Sequence, residues 1–160
     1  MSEQLIRPYS KDDHAWLVQQ HQSLYAQDEG FDDSFGPLVS DILTDFEKNH
    51  DPNGERGWIA EDAEARKGSI FCVDRGDGRA KLRLFLVLPA ARGSGLAQHL
   101  LETCLGFARD AGYRGLVLWT HESHKAAGRI YARNGFVLVD SFPTRNFGVD
   151  LVEQSWEISF

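Results

Sequence analysis

Residues 92–101 read RGSGLAQHLL, and they follow the apolar run LRLFLVLP at residues 82–89. The chain leaves a strand-like segment, passes an arginine and two closely spaced glycines, and then enters a helix-like segment. A helix N-terminus has unpaired backbone N–H groups and a partial positive charge, so glycines just ahead of it can admit an anion. A plain turn, in which Gly93 and Gly95 only supply unusual dihedral angles, explains the spacing equally well.

Two familiar phosphate-binding motifs do not fit this stretch. A dinucleotide fingerprint needs G-x-G-x-x-G, and Gln98 stands where the third glycine would be. A P-loop needs a lysine after its last glycine, and none follows Gly95. Ser94 is a side chain of the type that caps a helix, and it predicts an N-cap at this position.

Composition and charge place the chain among single-domain globular proteins, with one domain over residues 1–160. Apolar residues make up 42% and charged residues 26% of the 160 residues. Seventeen Lys and Arg against 24 Asp and Glu give a net charge of -7, which argues against a nucleic-acid partner. We expect no membrane association, because no apolar run reaches about 20 residues. The polar start MSEQLIRPYSKDD lacks a signal-peptide core, so we expect a cytoplasmic protein.

The two cysteines favour buried free thiols over a metal or disulfide site. Cys72 lies in an apolar strand pattern and Cys104 in a helix pattern, and neither has a Cys or His at metal-ligand spacing. Free buried thiols fit a reducing compartment. We therefore predict no metal.

The periodicities predict a mixed α/β chain around one twisted sheet. The predicted strands are 3–9, 58–61, 69–74, 81–88, 115–120, 136–139 and 151–158. The predicted helices run from Ser10 to about Gln27, from near Ser34, from residue 96 to Gly112, and over 123–134.

Two motifs in this order resemble the GCN5-related N-acetyltransferases, the GNAT family. R-x-x-G-x-A at residues 92–97 is similar to the acetyl-coenzyme A pyrophosphate loop of that family, and A-x-x-x-Y-x-x-x-G-F at residues 127–136 matches its second cofactor-side segment. The segments LRLFLVLPAARGSGLAQHLL, GYRGLVLWT and FGVDLVEQSWEI look like the acetyltransferase half of bacterial proteins that fuse a MarR-type DNA-binding domain to a GNAT domain. The DNA-binding half is absent, so no role in transcription is carried over.

The resemblance implies the GNAT fold and an acetyl-coenzyme A (acetyl-CoA) site. The fold is a mixed, mostly antiparallel sheet with flanking helices and a V-shaped splay between the fourth and fifth strands. The implied acetyl-CoA contacts are Leu86, Val87 and Leu88 through the backbone, the loop Arg92, Gly93, Ser94, Gly95, Leu96 and Ala97, and His124 and Ala127. His124 stands where many members place an asparagine, which puts that contact in doubt.

The same resemblance gives Tyr131 the role of donating a proton to the departing thiolate; an ordinary core tyrosine is the alternative. The attacking amine must also lose a proton. Glu122 is our candidate for that base, with His121 and Glu61 as further candidates. A solvated loop at residues 121–122, or a relay of water molecules, is an equally good alternative.

The family builds its acceptor site from the first two helices, their connection and the late strand hairpin. The acceptor residues predicted here are Glu29, Phe31, Arg83, Trp119 and His121. The acids Asp28, Glu29 and Asp32 would attract a cationic amine, although surface charge runs are usually only solvated. Arg83 alternates with Leu82 and Leu84, and it needs either a structural ion pair, which we slightly favour, or a substrate carboxylate. RNFG at residues 145–148 is expected to be a loop over this site.

The resemblance implies an N-acetyltransferase that transfers an acetyl group directly from acetyl-CoA to the amine of a small molecule, possible examples being amino-acid-like acceptors, or of a peptide. The alternative is a sensor of acyl-coenzyme A, or a protein-docking module, that does not turn over. Acetylation of a hydroxyl, a longer acyl group and a homodimer formed through the late strands are left open.

Overall fold

The computed structural model describes residues 5–160. It has seven strands and four α-helices within that range, so the α/β prediction is confirmed. The strands are β1 (Leu5–Pro8), β2 (Arg56–Glu61), β3 (Arg66–Asp74), β4 (Ala80–Val87), β5 (Gly115–His121), β6 (Val137–Asn146) and β7 (Val149–Ser159). The helices are α1 (His14–Glu29), α2 (Phe35–Asn49), α3 (Leu96–Asp110) and α4 (Lys125–Arg133). Short 3₁₀ turns at Lys11–Asp13 and Pro89–Ala91 precede α1 and the glycine loop.

The strands form one mixed sheet in the order β1-β2-β3-β4-β5-β7-β6. β1 pairs antiparallel with β2, β2 with β3, β3 with β4, and β6 with β7. The chain folds as two compact units, of which residues up to 10, 50–116 and 159–160 form the first, and residues 11–49 and 117–158 the second.

In the first unit, helix α3 packs closely on β3 and β4. A Cβ added at Gly68 of β3 would lie 2.6 Å from the Leu86 carbonyl oxygen and 3.2 Å from a methyl of Leu100, so only glycine fits there. Cys72 and Cys104 lie on the facing sides of β3 and α3, both fully buried and both free. The expectation of buried free thiols is confirmed.

A β-bulge interrupts the pairing of β3 with β4. Ser69 lies opposite Leu86 and Phe71 opposite Arg83, so β4 carries one more residue than β3 between these pairs. Within the bulge, Leu84 has a positive φ of 49°. The Ser69 hydroxyl donates a 2.7 Å hydrogen bond to the Leu84 carbonyl oxygen. The regular alternation expected for Leu82, Arg83 and Leu84 is therefore wrong at Leu84.

In the second unit, α1 and α2 pack on each other through buried Leu17, Val39 and Leu43. His14 of α1 bonds α2 twice, since its ring nitrogens lie 2.8 Å from a Glu47 carboxylate oxygen and 2.9 Å from the Ser40 hydroxyl. Helix α1 begins after Asp13, which makes no side-chain capping bond.

The late hairpin differs most from its prediction. β6 was expected to end at Val139 but continues to Asn146, and β7 begins at Val149. Only Phe147 and Gly148 separate the paired residues Asn146 and Val149, and both have positive φ, 54° and 78°. This is the backbone of a tight two-residue hairpin turn. The segment at residues 145–148 is therefore the end of a hairpin rather than a long loop.

Other boundaries lie close to the predictions. The predicted first strand begins at residue 3, outside the described residues, and its observed part is Leu5–Pro8. No helix in residues 5–160 is long and apolar enough to cross a membrane. Within the same residues, no three His, Cys, Asp or Glu side chains gather as metal ligands.

Candidate active site

Two glycines with left-handed backbone shape the turn between β4 and α3. Gly93 has a φ of 79° and Gly95 a φ of 85°. A Cβ built on either would meet no atom within 4 Å, so the backbone conformation, and not lack of space, calls for glycine. Both glycines face open space at the point where α3 begins.

The turn presents a group of unused backbone donors. The N–H groups of Gly93, Gly95, Leu96 and Ala97 donate to no acceptor within residues 5–160, and the first helical bond runs from His99 to the Gly95 carbonyl. The positive end of the 15-residue helix α3 adds to the potential at these donors. An anion with several oxygens, such as a pyrophosphate, matches this arrangement.

The prediction that Ser94 caps α3 is wrong. Its hydroxyl donates a 2.5 Å hydrogen bond back to the Ala91 carbonyl oxygen, and Gly95 is the N-cap without any side-chain capping bond. Arg92 lies exposed at the start of the turn. The Ser94 side chain therefore bonds within the turn, and it does not accept a hydrogen bond from the first N–H groups of α3.

The end of β4 leads into this turn. Leu86 is buried opposite Ser69, and Val87 is half-buried opposite Gly68. The Leu88 N–H donates a 2.9 Å hydrogen bond to the Lys67 carbonyl oxygen. That donor is therefore already engaged within the sheet.

Arg83 stands on β4 and has no ion pair within residues 5–160. It is half-buried opposite Phe71, and its guanidinium makes no hydrogen bond or salt bridge to any of residues 5–160. Because Cys72 faces α3, the neighbouring Phe71 and its partner Arg83 lie on the other face of the sheet. The structural ion pair that we slightly favoured for Arg83 is not present among the described residues.

Helix α4 carries three of the predicted residues. His124 is its N-cap and makes no side-chain capping bond, and Ala127 is half-buried in the first turn. Tyr131 is only 4% exposed, and its ring packs 5.6 Å from Phe136 and 6.2 Å from Trp156, centroid to centroid.

The second unit also contains a set of touching rings that we call the aromatic cluster. Its members come from α1, the α1–α2 connection, the start of α2, the end of β5, the start of α4 and the hairpin turn. They are His21, Tyr25, Phe31, Phe35, His121, His124 and Phe147. Phe31 is the buried phenylalanine of the cluster, with 4% of its surface exposed. The centroid of its ring lies 4.7 Å from that of Phe147 and 5.6 Å from that of His121.

Three hydrogen bonds hold the segments that carry the cluster. The Asp32 N–H donates a 2.8 Å hydrogen bond to the Phe147 carbonyl oxygen. The Gln22 side-chain amide donates to the Asp32 carbonyl oxygen at 2.9 Å and accepts from the Gly36 N–H at 2.7 Å. The Asp32 bond joins the α1–α2 connection to the hairpin turn, and the two Gln22 bonds join α1 to that connection and to the start of α2. The first of them explains why rings from distant parts of the sequence meet.

His121 is half-buried, and its pKa is perturbed. Partial burial lowers its pKa, as does His124 to a smaller degree, while the carboxylates of Glu29 and Glu153 raise it. The net direction is downward, so the imidazole is neutral at pH 7 and can accept a proton.

The other predicted polar residues are placed differently. Glu122 is exposed and lies 3.8 Å from the Lys125 ammonium group. Glu61 is held by Arg7 through two hydrogen bonds of 2.7 and 3.2 Å. Glu29 accepts a 2.5 Å hydrogen bond from the Ser123 hydroxyl, and Trp119 is 40% exposed. Asp28 is exposed, and hydrogen bonds from Ser34 lower the pKa of exposed Asp32.

An open cleft of about 280 Å³ lies along α4 and β7. Its lining includes Glu122, His124 and Trp156. Phe35 and Glu153 were not predicted as site residues, because the helical pattern gave Phe35 to the core and Glu153 lies inside a predicted strand. Phe147 belongs to the segment 145–148, which was expected to lie over the acceptor site but as a loop and not as a hairpin turn.

The chain is similar to known proteins in sequence and in fold. A family model described as the acetyltransferase (GNAT) family matches residues 14–136. The N-acetyltransferase 8B of Rattus norvegicus is 33% identical over 100 residues, which is 59% of this chain and 45% of that protein. N-acetyltransferase 8F1 of the same organism is 36% identical over 84 residues, 49% of this chain and 38% of that protein. The match thus spans less than half of each of these relatives.

Solved structures show the same fold at low sequence identity. An N-acetyltransferase from Staphylococcus aureus Mu50 superposes with a TM-score of 0.81 at 18% identity, over 99% of both chains. The protein yncA from Salmonella typhimurium, solved with its cofactor acetyl-CoA, gives a TM-score of 0.76 at 18% identity, over 98% of this chain and 93% of that one.

Proposed function

The chain belongs to the acetyltransferase (GNAT) family, and from that premise we propose that it is an N-acetyltransferase that transfers an acetyl group from acetyl-CoA directly to an amine. The observation that carries the proposal is the turn before α3, where four backbone N–H groups have no acceptor within residues 5–160. The finer likeness, to the acetyltransferase half of MarR–GNAT fusions, stays a prediction.

The residues present fit the pyrophosphate of acetyl-CoA. Gly93, Gly95, Leu96 and Ala97 supply the unused N–H donors, and Arg92 lies exposed beside them with a guanidinium that can bind phosphate oxygens. The absence of side chains at both glycines lets phosphate oxygens approach the backbone closely.

When bound, acetyl-CoA supplies an acetyl thioester whose carbonyl carbon is open to attack by an amine, with the coenzyme A thiol as leaving group. In our proposal the backbone at Leu86 and Val87 stabilises the negative charge that grows on the carbonyl oxygen. Leu88 contributes less to this, since its N–H is bonded to Lys67. Tyr131 donates a proton to the departing sulfur, and its burial keeps water from competing.

The acceptor amine needs a base, and His121 fits that role better than Glu122 or Glu61. A lowered pKa leaves the His121 imidazole neutral at pH 7, and its ring lies in the aromatic cluster beside Glu29 and Glu153. Glu122 is exposed beside Lys125, and Glu61 is held by Arg7. A neutral imidazole can take the proton of an ammonium group and pass it to solvent.

The acceptor is a small-molecule or peptide amine. Glu29 and Glu153 favour a cationic group near His121. Arg83 is half-buried and has no ion-pair partner among residues 5–160, which supports binding of a substrate carboxylate and therefore an amino-acid-like acceptor.

Release of free coenzyme A thiol from acetyl-CoA, measured across amino acids, polyamines, aminoglycosides, aryl amines and peptide N-termini, tests the proposal. We expect release that depends on one class of amine, with the acetylated amine detected by mass spectrometry. If calorimetry showed tight coenzyme A binding while every amine left the thioester intact, the chain would be a sensor of acyl-coenzyme A.

A further inference from the structure

Two neighbouring side chains on α1, both in the aromatic cluster, carry a polar atom without a hydrogen-bond partner among residues 5–160. His21 is 2% exposed, and its Nδ1 lies 2.8 Å from the Leu17 carbonyl oxygen. A carbonyl only accepts, so Nδ1 carries the ring proton and Nε2 keeps a free lone pair. No donor in residues 5–160 reaches Nε2, although it is buried. A buried acceptor without a donor costs about 1–3 kcal/mol, so such an atom normally meets a water or a ligand.

Tyr25 provides a matching donor one helical turn further along α1. Its ring is parallel to that of His21, with 3° between the ring planes and 6.1 Å between the centroids. The Tyr25 hydroxyl makes no hydrogen bond with any of residues 5–160. Burial raises the pKa of this phenol to about 12, helped by the carboxylates of Glu29 and Asp28, so the hydroxyl keeps its proton. The same helix face thus offers one free acceptor and one free donor.

The cluster also has a partly exposed aromatic wall. Tyr25, Phe35 and Phe147 are half-buried around the buried Phe31, with centroid separations of 4.8 Å for Tyr25–Phe35 and 4.9 Å for Phe35–Phe147. Phe147 has a φ of 54°, a backbone conformation that is unfavourable for residues other than glycine. Such strain persists where the surrounding structure imposes it, and it is concentrated at ligand sites.

The charges around the cluster favour a cation at one end. Glu29 and Glu153 both act on His121, and His124 is the other titratable group that does so. An ammonium group is attracted by two carboxylates and by the faces of aromatic rings. A molecule bound here would have an amine at the acidic end and a flat apolar body against the rings.

We propose that the aromatic cluster selects arylalkyl amines, with the amine at His121 and a hydroxyl on the aromatic ring bonded to His21 and Tyr25. The proposal rests on the acetyltransfer proposed above and names its acceptor class. A phenolic hydroxyl both donates and accepts, so it can donate to the His21 Nε2 and accept from the Tyr25 hydroxyl.

Steady-state acetylation of three matched amines, propylamine, phenethylamine and tyramine, tests this selection. We expect kcat/KM for phenethylamine to exceed that for propylamine by about tenfold or more. We expect a further gain of roughly fivefold for tyramine, which can form the additional hydrogen bonds. Equal kcat/KM for propylamine and phenethylamine, with active enzyme, would overturn the inference and leave the acetyltransfer intact.

Phe147→Ala should abolish the preference for phenethylamine, and Phe142→Ala is its control. Phe142 lies on β6, the strand that leads into the turn, and it is 40% exposed and outside the cluster, so its replacement should leave the preference unchanged. If Phe147→Ala failed to fold, Tyr25→Phe would serve, since it removes only the hydroxyl. That variant should erase the advantage of tyramine over phenethylamine, and an undiminished tyramine advantage would contradict the assignment.

Binding of tyramine measured by calorimetry in the presence of coenzyme A separates the two proposals. Binding that Phe147→Ala abolishes, without turnover of any amine, would retain the arylalkyl amine site and reject the acetyltransfer. Neither binding nor turnover would reject both.

Discussion

The backbone N–H of Asp32 donates a 2.8 Å hydrogen bond to the carbonyl oxygen of Phe147. Asp32 lies between α1 and α2, and Phe147 forms the turn between β6 and β7, so the bond joins two segments more than 100 residues apart in sequence. The centroid of the Phe147 ring thereby lies 4.7 Å from that of the Phe31 ring. A main-chain bond thus helps to hold the candidate acceptor site together.

Replacement of Gly95 by alanine should weaken binding of acetyl-CoA. The residue has a φ of 85° and open space around its Cα, so the added methyl strains only the backbone, by about 1 kcal/mol. Calorimetric titration with acetyl-CoA measures the loss of affinity, and a thermal melt measures the loss of stability. Gly106→Ala, inside α3 and also facing open space, is the control and should stabilise the fold by roughly the same amount.

Tyr131→Phe should lower kcat and leave coenzyme A affinity nearly unchanged. The substitution removes only the hydroxyl, and the ring can keep its packing against Phe136 and Trp156. If the phenol protonates the leaving sulfur, kcat should fall by roughly a hundredfold. Unchanged kcat would leave Tyr131 as a core residue.

His121→Gln and Glu122→Gln together identify the base. We expect His121→Gln to lower kcat by about a hundredfold and to remove the acidic limb of the pH profile of kcat, which lies below pH 6.5 because the pKa of His121 is lowered. Glu122 is half exposed and beside Lys125, so its variant should retain most activity. The opposite ranking of the two variants would return the role to Glu122.

Arg83→Gln should raise KM for phenylalanine and leave KM for phenethylamine unchanged. These two acceptors differ only by the carboxylate that we assign to Arg83. A carboxylate bound by a half-buried guanidinium is worth about 1.5–3 kcal/mol, or roughly tenfold or more in KM. Arg79→Gln, whose guanidinium donates to the Ser159 hydroxyl, is the control. An equal rise in KM for both amines would show that Arg83 acts without the carboxylate.

Stability should fall on acidification between pH 6.5 and about 4 in a way that depends on His21. Burial lowers the pKa of His21 from 6.5 to about 4, despite the opposing hydrogen bond to Leu17. The unfolded chain therefore binds a proton in this range that the folded protein resists, and about 3 kcal/mol of unfolding free energy is lost as the pH falls. Urea titrations at several pH values should show a smaller loss for His21→Gln, while His99→Gln, with an exposed side chain, should behave as the unmodified protein.

Periodicity predicted most elements to within a few residues, because long amphipathic patterns such as that of α3 are strong signals. It failed at β6, which continues past Val139 through Pro143 to Asn146. Proline has no N–H to donate and reads as a strand terminator, but β6 lies at the edge of the sheet, where one side needs no partner. It also failed at Leu84, since nothing local marks the extra residue of a bulge.

The sequence by itself determined the α/β order, the glycine turn before α3 and the family, because these depend on residues that are close together in the chain. Only the tertiary structure decided which side chains share a site. It left Arg83 without an ion pair among residues 5–160, removed Ser94 from the helix cap, and brought Phe147 to Phe31 and Phe35. The meeting of Phe147 with Phe31 and Phe35 depends on a backbone bond between distant segments, that from Asp32 to Phe147, and no local pattern encodes it.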